Sequence, residues 1–151
     1  MTIVSLDGFA LTDHFVVREC TVMESNGDYE HFRFAAPTNF QTSSNDRRII
    51  QFTSMHLSKI PYFDQSLLPY ETVFKILQKL SSKKLYCAGN QAHKFLREAL
   101  PLTTIVDVSI KMGFKFPTVL NGANCGRRHN PRYCSLAKAL CMKEFLEIPI
   151  M

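Results

Sequence analysis

The sequence predicts an α/β fold on a five-stranded mixed sheet, three strands antiparallel and the later ones parallel, flanked by helices. Three observations carry this. Asn26-Gly27 stands between two runs rich in Val, Thr, Tyr and Phe, and it is the strongest short hairpin signal because both positions tolerate φ > 0. Beyond residue 44, short apolar runs alternate with helical stripes, the pattern that right-handed crossovers turn into parallel strands. The last apolar stretch, 131–146, is apolar around most of its circumference and reads as a largely buried helix packed across the sheet.

Each element has a local cause. Ile3-Val4-Ser5-Leu6 running into Asp7-Gly8 forms a first strand over 2–8, placed at the centre of the sheet. After a break at Leu11-Thr12-Asp13, residues 15–23 form the second strand. Residues 29–34 form the third, with Phe32 and Phe34 on one face and His31 and Arg33 on the other, and Pro37 ends it. Asn45-Asp46 caps a helix running to Leu57, with Ile49, Ile50, Phe52 and Met55 as its stripe. Residues 61–69 connect to the clearest amphipathic helix, 70–80, where Val73, Ile76, Leu77 and Leu80 share a face. Residues 85–88 are a fourth strand ending in Gly89. Asn90 caps a helix that stops at Pro101, and 104–108 are a fifth strand. Asn130 as N-cap and Pro131 in the first turn open the closing helix. With no internal repeat and no composition shift, residues 1–151 read as a single domain.

Hydrophobic residues at 46% and charged ones at 21% place the chain among globular proteins and exclude a disordered one. No apolar run approaches the roughly 20 residues a membrane helix needs. The first residues lack the basic start and apolar core of a signal peptide. The expectation is an intracellular protein, cytoplasmic or nuclear, with no membrane partner. Cysteines 20, 87, 125, 134 and 141 are odd in number and irregularly spaced, which favours thiols or metal ligands over a disulfide framework. Residues 1–75 hold six Lys or Arg against nine Asp or Glu, and residues 76–151 hold twelve against four, so the halves carry −3 and +8. The basic half implies DNA or RNA, or an acidic protein, as partner; the alternative is a solvated lysine-rich surface.

The stretch 124–134 crowds Cys, Arg and His at the start of the closing helix. A helix N-terminus favours anions, so Arg127, Arg128 and Arg132, with Lys111 and Lys115 in the preceding loop, are candidate phosphate-binding residues. Phe114, Phe116 and Tyr133 lie among these charges, either to stack on bases or to pack in the core. Cys125, His129 and Cys134 follow C-x3-H-x4-C, a spacing zinc sites use. The fourth ligand would come from Cys87, Cys141, His93 or a water. The competing reading makes Cys134 and Cys141 small buried apolar residues. A cysteine nucleophile beside His129 lacks a visible orienting acid. Asp107 ends the fifth strand, where an acid caps the next turn. Asp7, with residues 10–13 as the turn, pairs across from Val16 and shares a face with Arg18 as an ion pair.

Ser5-Leu6-Asp7-Gly8-Phe9, the strand and Asn-led helix of 85–96, and His129 placed five residues before Cys134 carry a resemblance. With this element order, the chain resembles the ribonuclease H-like fold, and within it the DEDD 3′–5′ exonucleases. The resemblance implies two Mg²⁺ ions held by four carboxylates, with His129 as general base for the attacking water. Asp7 alone falls on a matching acid position: Phe9, His93 or Lys94, and Cys134 stand at the others. One carboxylate cannot hold two hard dications, and a thiolate is a poor Mg²⁺ ligand. The expectation is therefore a catalytically degenerate exonuclease-like domain acting as a nucleic-acid-binding or protein-interaction module. The alternative is an active Mg²⁺-dependent nuclease using Asp7, Glu19 or Asp107, and His129.

Overall fold

The computed structural model describes residues 1–12, 14–37, 43–53, 55, 67–116 and 134–147. Its centre is β1 (Thr2–Ala10), buried on both faces because helices cover both. The hairpin signal acts as expected. Gly27, at φ 94°, donates its N–H to the Glu24 carbonyl at 2.9 Å, and β2 (Phe15–Glu24) folds back onto β3 (Tyr29–Arg33). The helices and strands that follow add β4 (Leu85–Cys87) and β5 (Ile105–Asp107), both parallel to β1. The sheet is five-stranded and mixed, in the order β3-β2-β1-β4-β5. β1, β2 and β4 are its interior, and β3 and the three-residue β5 are its edges.

One face of the sheet buries Val4, Leu6, Val17 and Cys20 against α2 (Thr72–Gln78) and α3 (Asn90–Ala99), which contribute Val73, Leu77, Ala92 and Leu96. The opposite face buries Ile3 and Met23 against α4 (Ser135–Glu147), which crosses β1 and β2. The first half of α4 is buried, as its apolar circumference predicts; the helix start expected at Asn130-Pro131 lies outside the described residues. At the far end of the β1–β2 hairpin, Phe9, Leu11, Val16 and Ala36 form a third cluster covered by Ile49 and Ile50 of α1 (Ser44–Phe52).

Two caps differ from expectation. Helix α1 is capped by Ser43, whose Oγ accepts from the Asp46 N–H at 3.1 Å. That frees the Asp46 carboxylate to accept from the Thr12 N–H at 2.9 Å and the Thr12 hydroxyl at 2.7 Å, tying the helix to the end of β1. These bonds hold the Asp46 carboxyl below its ordinary range. In α3, Asn90 is the first helical residue, and Gly89 precedes it at φ 105°, a conformation glycine adopts without strain.

The register of β1 on β2 also departs from expectation. Asp7 faces Glu19, not Val16: the hairpin end pairs Ala10 with Phe15, which shifts the expected register by two, and a bulge between Asp7 and Gly8 leaves Arg18 as an extra residue on β2, which shifts it by one more. The backbones close up so tightly there that a Cβ on Gly8 would lie 1.9 Å from the Val16 carbonyl oxygen. Arg18 is buried and donates to the Phe34 carbonyl at 2.7 Å, with its guanidinium 5.4 Å from the Phe9 ring centroid. No helix among the described residues is long and apolar enough to cross a membrane.

Candidate functional site

Side chains alternate along strands, so residues paired across neighbouring strands project to the same face. Under α4 this produces two rows across the sheet: Ser5, Thr21 and His31, and beside it Asp7, Glu19 and Arg33. Two buried carboxylates thus stand directly opposite one another, a placement that destabilises a sheet unless other groups compensate. The closing helix supplies them. Lys138 places its Nζ 3.2 Å from Asp7 Oδ2 and donates to the Leu6 carbonyl at 2.7 Å. One turn earlier, Ser135 donates both its N–H (3.1 Å) and its hydroxyl (3.2 Å) to Glu19 Oε1. From the β3 side, Arg33 Nε lies 3.8 Å from Glu19 Oε2.

Polar contacts continue along the other row. The Thr21 hydroxyl is 2.7 Å from His31 Nδ1 and 2.9 Å from Ser135 Oγ, and His31 Nε2 is 4.0 Å from Glu19 Oε1. Among the described residues, Asp7 and Glu19 are matched by Lys138 and Arg33. The members of this buried cluster come from β1, β2, β3 and α4, and they join the closing helix to the centre of the sheet.

Of the residues expected at a catalytic centre, Asp7 and Glu19 are brought together and Asp107 is not. The partner expected for Asp7 was Arg18. The bulge assigns Arg18 elsewhere, and Lys138 takes its place. Asp107 pairs with Cys87, whose neighbours are on the α2–α3 side of the sheet. Its carboxylate accepts from the Ser109 N–H (2.9 Å), the Ser109 hydroxyl (2.6 Å) and the Gly89 N–H (3.0 Å). It caps the turn after β5, as its position at the strand end predicts.

His129, Cys125, Arg127, Arg128 and Arg132 lie outside the described residues. Cys134 is buried at the start of α4 among Ile3, Met23 and Val108. Cys87 sits on the other face of the sheet, away from Cys134. Burial raises the Cys87 thiol to about 12, the Asp107 carboxylate adding to the effect, and burial alone raises Cys20 to about 12. Cys141, half-buried, is pushed up by burial and by Glu144, and it donates its Sγ–H to the Lys115 carbonyl at 3.0 Å. Among the described residues, no three His, Cys, Asp or Glu side chains are grouped to hold a metal ion.

Lys111 and Lys115 are exposed, as a phosphate contact requires. Lys138 and Lys143 are not free surface charges, since Lys143 lies 2.8 Å from Glu147 and Lys138 is inside. The excess positive charge of the C-terminal half is therefore partly structural. Phe114 packs edge-on against Phe116 and against Phe145 of α4, both at 5.4 Å, so these rings extend the core beneath α4.

Lys138, Ser135, His31, Thr21 and Arg33 were not singled out as site residues from the sequence. A signal existed for three of them. A lysine inside a helix expected to be buried needs an acid, and the strand alternation already placed His31 and Arg33 on one face. No protein-family model matches the chain, and no curated protein matches it either.

Proposed function

We propose that the chain is a catalytically degenerate exonuclease-like domain of the ribonuclease H-like kind, acting as a binding module with nucleic acid as its favoured partner and protein as the other. The sheet order, with β1 central, β2 and β3 antiparallel to it on one side and β4 and β5 parallel on the other, supports the kinship in fold. The observation that carries the functional reading is Lys138. Its ammonium lies 3.2 Å from Asp7, the one carboxylate on a matching motif position, and is held there by the Leu6 carbonyl. An internal cation supplies the positive charge that a hard dication would supply, and it comes from the closing helix. Glu19, the nearest second acid, is already committed to Ser135. This donor set does not fit a pair of Mg²⁺ ions, which need several oxygen ligands each. Lys111 and Lys115 are exposed and support the basic contact of the reading, to which the sequence adds Arg127, Arg128 and Arg132 as candidates.

The test is incubation of the purified protein with single- and double-stranded DNA and RNA in Mg²⁺ or Mn²⁺. No degradation is expected. Cleavage that disappears in Asp7→Asn would overturn the reading and establish the alternative, an active nuclease, which the opposed carboxylates of Asp7 and Glu19 favour. A zinc ion held by Cys125, His129 and Cys134 belongs to the same proposal, as a clamp on the start of α4. It requires about one zinc per chain in metal analysis and a melting temperature lowered by chelator, because such binding contributes directly to folding.

A further inference from the structure

On the outer side of α3, two hollows adjoin. One, of about 360 Å³, is walled by Leu11, Phe15, Tyr70 and Phe95. The other, of about 450 Å³, carries His93 and Arg97. Asn90, Lys94 and Glu98 line both, so they form one groove along the helix. The rings at its first end belong to a chain of aromatic contacts. Phe15 meets Phe95 edge-on at 6.2 Å, Phe95 stacks with Phe74 at 5.9 Å, and Phe74 meets Tyr70 edge-on at 5.9 Å. None of these four rings is fully buried, although the core beneath them is closed. Partly exposed aromatic rings beside a hollow offer a stacking surface.

The other end is basic. Lys94 and Arg97 are three residues apart on α3, hence neighbours on one side of the helix, and both are exposed. His93 adds a third nitrogen group, and Glu98 is the acid among the described lining residues. A ligand that uses the whole groove needs a flat ring at one end and an anion at the other. An apolar peptide has no use for Lys94 and Arg97, and a duplex keeps its bases stacked. A single strand presents an unstacked base and a phosphate side by side.

We propose that this groove seats a nucleotide of a single-stranded nucleic acid, with its base against Phe15 and Phe95 and its phosphate on Lys94 and Arg97. The proposal rests on the nucleic-acid reading above and puts the contact on α3, away from the arginines of 124–134. Glu98 at the shared rim is an acceptor for a sugar hydroxyl, which RNA offers at the 2′ position and DNA lacks.

The test measures fluorescence anisotropy of labelled octamers of thymidine and of uridine, titrated with the full chain. The proteins compared are the parent, Lys94→Glu/Arg97→Glu on the exposed side of α3, Phe95→Leu, and Arg127→Ala/Arg128→Ala; thermal melts confirm that each is folded. The α3 double variant is expected to bind about tenfold or more weakly, with a shallower salt dependence, each lost phosphate contact reducing the log–log slope by about 0.7. Phe95→Leu, which keeps an apolar side chain but removes the ring, is expected to lose about fivefold or more. Ring resonances of Phe15 and Phe95 are expected to shift on titration with either octamer, and tighter binding of the uridine octamer supports the role of Glu98. Parent binding unchanged in both α3 variants but lost in Arg127→Ala/Arg128→Ala would overturn the groove and leave the nucleic-acid reading standing. No binding of either octamer by the parent would overturn both. Ring shifts produced by a proline-rich peptide and by neither octamer would overturn the proposal in favour of a peptide groove.

Discussion

Replacing Lys138 with Met isolates the contribution of the internal cation. Methionine keeps the unbranched apolar stem that packs in α4, so the main loss is the ammonium. Asp7 is 5% exposed and Lys138 8%, and the pair is 3.2 Å apart, so the carboxylate left behind cannot recover its hydration. It would also still face Glu19 across the strand pair. Removing one partner of a buried pair costs about 3–5 kcal/mol. For a chain of this size, each kcal/mol moves the melting temperature by roughly 2–4 °C, so a fall of about 6–20 °C is expected. The assay is urea unfolding with thermal melting, on the parent, Lys138→Met, Asp7→Asn and the double variant. The double variant should recover much of the loss, with a coupling of about 0.5–3 kcal/mol, because it removes the uncompensated charge along with its partner. A loss below about 1 kcal/mol for Lys138→Met, the size of a surface pair, would refute the argument that this ion pair holds α4 to the sheet.

Other outcomes follow from single contacts. Gly8→Ala forces a methyl onto the Val16 carbonyl, so urea unfolding should show a loss of about 1–3 kcal/mol or more. Asp46 has its carboxyl lowered by Thr12, so its contribution is present above the ordinary value of 3.8 and is lost as pH falls through the lowered one; the melting-temperature gap between parent and Asp46→Ala should narrow on acidification. Cys20 and Cys87, both raised to about 12 by burial, should resist a thiol reagent at neutral pH in the folded protein and react once urea unfolds it. Leu96→Ala, at a fully buried position between α3 and the sheet, should cost about 2–5 kcal/mol in the same unfolding assay.

What the sequence by itself determined is local in origin. Asn26-Gly27 encodes the β2–β3 turn within a few residues, and the alternation of 29–34 already divides Phe32 and Phe34 from His31 and Arg33. The periodicity of 70–80 and the apolar circumference of the last helix announce which segments are buried. From these follow the element order, the mixed sheet and the helix across it. The helix caps were less legible, because Ser43, Asn45 and Asp46 are all capping residues, and the choice among them depends on whether Thr12 claims the Asp46 carboxylate.

Only the tertiary structure decided the polar cluster. The pairing of Ala10 with Phe15 at the hairpin end and one extra residue at the bulge, Arg18, together move the partner of Asp7 from Val16 to Glu19, and no local pattern specifies that register. Ser135 reaches Glu19 across 116 positions of sequence, and Lys138 reaches the Leu6 carbonyl across 132. Such contacts exist because the apolar residues of α4 fix its position over β1 and β2, which brings Ser135 and Lys138 onto the two carboxylates. The burial that makes a lone acid costly is created by that same packing. It turned Lys138, which in sequence reads as one more charge of a basic half, into the internal partner of Asp7.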